Sequence, residues 1–213
     1  MFKYWLTAAG ASLLLAGPAV GADVAAGEQI VMQGNGKGAL ACVSCHGAQG
    51  AGNAAAGFPR LAGLDAEHMV KQLQDYKAGT RKNPVMAPFA AALTDEEMAN
   101  VSAYYAAQQA PVTAAKPEGE AAALGERLTL IGNWDKDVPA CVACHGPGAR
   151  GVGKSFPALA GQHAAYIKAQ FQAWKNGQRT NDPDELMKVV AERLSDEEIE
   201  AVANYLASLE ARR

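Results

Sequence analysis

Two groups of donor residues carry the chemistry in this chain: Cys42, Cys45 and His46, and Cys141, Cys144 and His145. Each is spaced C-x-x-C-H, and together they hold all four cysteines of the sequence. That spacing is the signature of c-type haem attachment. Two thiols one helical turn apart can add to the two vinyl groups of one porphyrin, and the adjacent imidazole reaches the iron from the proximal side. Two other uses of cysteine compete: a redox dithiol or structural disulfide in each half, or a four-thiolate zinc site across the halves. A thioredoxin-like dithiol calls for a βαβ pattern that the sequence lacks. A zinc site gives no reason for histidine to follow directly both times. The expectation is therefore two covalently bound haem c groups.

The sixth ligand must come from elsewhere. Met86 lies 40 residues after His46, and Met187 lies 42 after His145; each stands seven residues before a leucine that leads into the last helix of its half. Recurrence at equivalent positions favours axial ligation over gap-filling. A thioether stabilises ferrous iron and raises the potential. The expected metal ligands are thus His46, Met86, His145 and Met187, with the four cysteines as covalent anchors and no catalytic residue. Pro59 and Pro157 follow phenylalanine in equivalent loops. Their carbonyls could fix the imidazoles of His46 and His145, or the prolines could simply set φ. Arg81 and Arg179 are candidates for the haem propionates or for a solvated surface. Tyr76 and Trp174, another equivalent pair, are read chiefly as core. His68 and His163 are read as ordinary histidines, and Met32, Met69 and Met98 as core.

The elements that must position these groups come in duplicate. Phe58-Pro59-Arg60-Leu61-Ala62-Gly63 recurs as Phe156-Pro157-Ala158-Leu159-Ala160-Gly161, Gln72-Leu73-Gln74 as Gln170-Phe171-Gln172, and Leu93-Thr94-Asp95-Glu96-Glu97 as Leu194-Ser195-Asp196-Glu197-Glu198. Order and spacing are preserved, so the chain is an internal repeat. In each half the pattern predicts a first helix (24–33 and 120–131), a middle helix (66–77 and 163–175) and a last helix. Thr94 with Glu97 and Ser195 with Glu198 are capping boxes at the starts of the last helices. Met98, Val101 and Tyr105, like Ile199, Val202 and Leu206, form one apolar face. No stretch alternates as a sheet strand should. The fold class is all-α, as two tandem domains. The proline-containing stretch 109–119 reads as a linker, giving domains at 23–113 and 114–213.

Residues 1–22 read as a secretory signal: Lys3 supplies the positive start, Leu6 to Val20 the apolar run, and Val20-Gly21-Ala22 a small-residue cleavage site. Export implies the periplasm. The chain has 213 residues with a formal charge of −3, which lacks the basic excess of a nucleic-acid binder. Each half carries the same charge of −2, so charge does not assign them different partners. Aromatics are only 7%, and a buried macrocycle would supply the missing apolar bulk.

At these motifs the sequence resembles the dihaem cytochromes c of the cytochrome c4 family, over nearly all of the chain beyond residue 22. Gly161-Gln162-His163 and Arg179-Thr180-Asn181-Asp182 add to the likeness. The resemblance implies two class I cytochrome c folds related by approximate two-fold symmetry, with the haems near the domain interface and His46/Met86 and His145/Met187 as ligand pairs. It also implies electron transfer between redox proteins: a donor such as a quinol–cytochrome c reductase or a dehydrogenase, and an acceptor such as a haem–copper oxidase. Peripheral membrane association is left open. The alternatives are a cytochrome subunit of a flavocytochrome sulfide dehydrogenase, and a dihaem enzyme. The latter would need an open iron or a cysteine ligand, and every cysteine is already committed.

Domains of about 90 residues bury modest cores. The haem-free chain is therefore expected to lose most of its far-UV circular dichroism and its cooperative melt. A native-like spectrum without haem would contradict this.

Overall fold

The computed structural model describes residues 21–211. The first half contains α1 (Val24–Gln33), α2 (Val43–His46), α3 (Ala66–Ala78), α4 (Met86–Ala91) and α5 (Asp95–Ala107). The second repeats the series as α6 (Gly119–Leu130), α7 (Cys141–His145), α8 (Ala164–Lys175), α9 (Leu186–Arg193) and α10 (Asp196–Ser208). Residues 108–118 join the halves without regular structure. A two-residue antiparallel pair, β1 (Gly132–Asn133) with β2 (Val138–Pro139), is the one named sheet among the described residues. None of the described helices is long and apolar enough to cross a membrane.

Local chemistry starts and places these helices. Asp23 accepts from the N–H groups of Ala25 and Ala26 to open α1, and Asp65 accepts from His68 N–H at 2.8 Å to open α3. Both expected capping boxes are present, at Thr94/Glu97 and Ser195/Glu198. The expected apolar faces are buried: Met98, Val101 and Tyr105 in the first half, and Ile199, Val202 and Leu206 in the second. Met69 is also core, but Met32 lies on the outer face of α1 and is exposed, contrary to the core reading. The helical period alone did not separate it from its buried neighbour Val31.

Two glycines let the first and last helices of each half cross at close range. A Cβ on Gly27 would lie 2.1 Å from the Asn100 carbonyl oxygen, and one on Gly125 would lie 2.3 Å from that of Ala201. Backbone thus packs on backbone at α1/α5 and α6/α10. The middle helices α3 and α8 lie against α5 and α10 and also contact α4 and α9. The second half gathers one continuous core, including Leu128, Ile167, Phe171, Trp174, Ile199 and Leu206. The first divides into one group around Val31, Met69, Val101 and Tyr105 and another around Leu93 and Met98.

The capping acids also differ. Glu97 accepts from Asn35 Nδ2 at 3.2 Å. Glu198 accepts from the equivalent Asn133 at 3.0 Å and from Lys136 Nζ at 2.7 Å. Burial works to raise the Glu198 carboxyl, but its bonds to Lys136, the Ser195 N–H and Asn133 outweigh this and hold it at about 2.

Two outcomes follow from this packing. Gly125→Ala gains about 1 kcal/mol of helix propensity but forces the crossing apart at about 1–3 kcal/mol, so the denaturation midpoint of the holoprotein should fall; an unchanged or raised midpoint would contradict the close crossing. The stability supplied by Glu198 is fully present above the ordinary glutamate pKa and is lost as pH falls from about 4 towards 2. Glu198→Gln should therefore lower the melting temperature at pH 7 and have much less effect near pH 2, with melting curves at the two pH values as the check.

Candidate haem sites and the interface between them

Both C-x-x-C-H motifs sit on short helical turns. Cys42 caps α2, with Cys45 and His46 inside it; Cys141, Cys144 and His145 all lie in α7. One turn brings the two thiols of each pair to the same side. No disulfide links the cysteines, and no cluster of three or more His, Cys, Asp or Glu residues among the described residues could hold a metal ion. The zinc alternative therefore has no geometry to support it. Burial pushes the Cys42 thiol up and that of Cys141 to about 11.

The imidazoles are fixed by their loops. His46 Nδ1 lies 3.0 Å from the Pro59 carbonyl oxygen, and His145 Nδ1 lies 2.7 Å from that of Pro157. A carbonyl can only accept, so Nδ1 carries the proton and Nε2 keeps its lone pair. Of the two roles open to these prolines, the carbonyl role is present in both halves. Both rings are about 95% buried, and burial pushes both below the ordinary histidine range, partly offset by the proline carbonyl. Each is thus a neutral base with one bare nitrogen. The loops close tightly enough to hold this geometry. Gly52 N–H donates to the His46 carbonyl at 2.9 Å, and Gly151 N–H to that of His145 at 2.7 Å. Both glycines have positive φ, and a Cβ would lie 2.5 Å from Pro59 backbone or 2.7 Å from Ala158 N. Phe58 and Phe156 stand 6.3 Å from the respective imidazole centroids.

The methionines lie not in open loops but at helix starts. Met86 is the first residue of α4 and Met187 the second of α9; both are half-buried. Asn83 Oδ1 accepts from the N–H groups of Val85 and Met86, each at 2.9 Å. Asp182 Oδ2 accepts from those of Met187 and Lys188 at 2.9 and 3.0 Å. These caps had a sequence signal, the dipeptides Asn83-Pro84 and Asp182-Pro183.

The largest departure from expectation is at Arg81 and Arg179. Both are buried, at 4% and 8% exposure, so the solvated-surface reading fails. They face each other across the two halves, where Arg81 and Arg179 form a bridge flanked by Lys82 N–H to the Gln178 carbonyl (2.7 Å) and Thr180 N–H to that of Thr80 (2.9 Å). Arg81 donates to Gln72 Oε1 (2.9 Å), the Tyr166 hydroxyl (2.6 Å) and Gln170 Oε1 (2.6 Å). Arg179 donates to Gln170 (3.1 Å), Gln72 (3.2 Å) and Asn181 (3.0 Å). Their planes stack on Tyr76 and Trp174, at 4.6 and 4.0 Å from the ring centroids. Burial and the like charge of Arg81 pull Arg179 down to about 9, still charged at neutral pH. Asp75 and Asp182 act on these cations electrostatically but form no ion pair with them, so the two guanidinium groups keep donors suited to an anion, and haem carries two carboxylates. The donor set therefore fits the group on three counts: paired thiols on one turn, a neutral imidazole with Nε2 bare, and buried guanidinium groups held in no ion pair.

Other contacts lock the halves together. His68 Nδ1 lies 3.0 Å from the Lys154 carbonyl oxygen and His163 Nε2 2.9 Å from that of Ala51. Gln162 exchanges two 2.9 Å bonds with the backbone of Arg60. The two histidines are thus interface residues. Gln72 and Gln170 are legible in the sequence as one glutamine repeated in the two middle helices, but their partners are not.

The family model for cytochrome c matches residues 24–106 and again 136–210. The chain is 51% identical over 208 residues to the thiosulfate dehydrogenase electron acceptor of Stutzerimonas stutzeri strain A1501, covering 97% of this chain and 95% of that protein. It superposes on thiosulfate dehydrogenase (TsdBA) from Marichromatium purpuratum with a TM-score of 0.82 and 43% identity, over 88% of this chain but only 40% of that one. It also superposes on the crystal structure of reduced recombinant cytochrome c4 from Pseudomonas stutzeri, with a TM-score of 0.77, 37% identity, and coverage of 89% and 100%. Two cytochrome c folds in tandem, two covalent haem c groups and this likeness along the whole length place the chain in the cytochrome c4 family of dihaem electron carriers.

Proposed function

We propose that this protein is a periplasmic carrier that accepts electrons from a thiosulfate-oxidising dehydrogenase and passes them to a respiratory acceptor such as a haem–copper oxidase. The observation that carries the donor assignment is the 51% identity, over nearly the full length of both chains, to a protein named as a thiosulfate dehydrogenase electron acceptor. In this reading Cys42 and Cys45 anchor the first haem and Cys141 and Cys144 the second; His46 with Met86, and His145 with Met187, are the axial ligands. Residues 1–22, nearly all outside the described residues, act as the export signal, and the domains divide near residue 113.

When bound, each haem supplies an iron that alternates between ferric and ferrous states. The residues do the rest. The Pro59 and Pro157 carbonyls hold each imidazole in the ligating tautomer. The Asn83 and Asp182 caps fix where each methionine leaves its helix. A histidine and a methionine would both be committed to the iron of each half, which favours a carrier over an enzyme that binds substrate at iron. Two one-electron centres in one chain also suit a donor that oxidises by two electrons. The likeness to part of a thiosulfate dehydrogenase chain supports a second reading, in which the protein stays bound to its enzyme.

Met86→Ala and Met187→Ala should each remove about half of the weak near-infrared charge-transfer band of methionine-bound ferric haem and lower one of the two potentials. An undiminished band would overturn that ligand. Stopped-flow mixing of the oxidised protein with thiosulfate dehydrogenase and thiosulfate should give rapid reduction of both haems. Reduction by a quinol–cytochrome c reductase but not by that enzyme would overturn the donor assignment. Co-elution with the dehydrogenase on gel filtration would favour the permanent subunit.

A further inference from the structure

The two methionine helices are capped by different chemistry at equivalent positions. In the first half the cap is the neutral amide of Asn83, with two backbone donors. In the second it is the carboxylate of Asp182. One oxygen of that carboxylate takes the N–H groups of Met187 and Lys188, and the other takes Trp174 Nε1–H at 3.0 Å. Tyr76 stands at the position equivalent to Trp174. The residues that follow differ in the same sense: Pro84-Val85 are uncharged, whereas Pro183 is followed by Asp184 and Glu185.

We propose that Asp182 is a tuning residue of the second haem, whose carboxylate sets that haem's reduction potential below the value a neutral cap would give and makes the two halves electronically unequal. The inference rests on Met187 being the second iron's ligand. Ferric haem carries one more positive charge than ferrous haem. A fixed carboxylate bonded to the ligand's own N–H favours the ferric state, and partial burial strengthens the effect over that in bulk water. Nearby cations do not cancel the difference. Arg179, stacked on Trp174, is matched in the first half by Arg81 stacked on Tyr76. Lys188 is paired with Glu185 at 2.7 Å, so those two charges offset each other and Asp184 is the added acid of the segment. The three bonds hold the carboxylate in place, so its charge acts from one fixed point.

The test is potentiometric titration of the holoprotein, with the two potentials followed separately and the near-infrared band recorded for each variant. Asp182→Asn keeps an amide oxygen for the two helix N–H groups, as Asn83 does. It should raise one potential and leave the band at full strength. Asn83→Asp adds the charge on the other side and should lower the other potential. An intact band with neither potential moved would overturn the tuning role alone. Absence of methionine ligation at the second haem of the unsubstituted protein would overturn the ligand assignment, and the inference with it. Should Asp182→Asn fail to assemble, Asn83→Asp still decides, because an unshifted first potential would show that charge at this cap is not felt by the iron.

Discussion

Everything in each half is arranged around one hydrogen bond, from an imidazole Nδ1–H to a proline carbonyl. A histidine free to change tautomer, or to take up a second proton, is a poor and variable metal ligand. The carbonyls of Pro59 and Pro157 remove the first freedom, and burial removes most of the second. The rest of the loop serves that contact. Gly52 and Gly151 allow the strand after the motif to turn back on the proline segment. The glycine N–H groups in turn hold the histidine carbonyls. In the first half the hydroxyls of Tyr104 and Tyr105 donate to the Ala48 and Gly47 carbonyls and tie the loop to α5.

The second constraint lies between the halves. Burying two guanidinium groups against each other is costly unless their charge is answered. Here the immediate answers are neutral: two glutamines, a tyrosine hydroxyl, an asparagine, and the faces of Tyr76 and Trp174. Such a set orients the cations without neutralising them. Haem carboxylates would complete it, so binding the cofactor and fixing the interface would be parts of one event. The backbone bonds across Thr80–Lys82 and Gln178–Thr180 and the histidine contacts from each half hold the arrangement in register.

The repeat is close in backbone and divergent in charge. Glu97 and Glu198 cap equivalent helices, yet only Glu198 also takes a lysine. Tyr76 and Trp174 both carry a stacked arginine, yet Trp174 alone brings an N–H to the methionine cap. Duplication preserved the scaffold that holds a haem, while single substitutions near each site altered its electrostatics. That pattern gives the two halves of an electron carrier different charged surroundings.

What the sequence determined by itself is what local rules govern. C-x-x-C-H fixes the attachment chemistry because both thiols and the imidazole must reach one group from one turn. Capping boxes and apolar periodicity placed α1, α3, α5, α8 and α10 to within a residue or so, because those signals act within a single turn of helix. Met32 and the short helices at Met86 and Met187 escaped, since exposure and helices of six and eight residues depend on what packs against them. The tertiary structure alone decided the roles of Arg81, Arg179, His68 and His163. Each of them has a partner about 85 or more residues away, across a two-fold-like interface. No spacing rule encodes such a contact, because a buried charge and a solvated one have the same side chain, and only the fold determines which environment it meets.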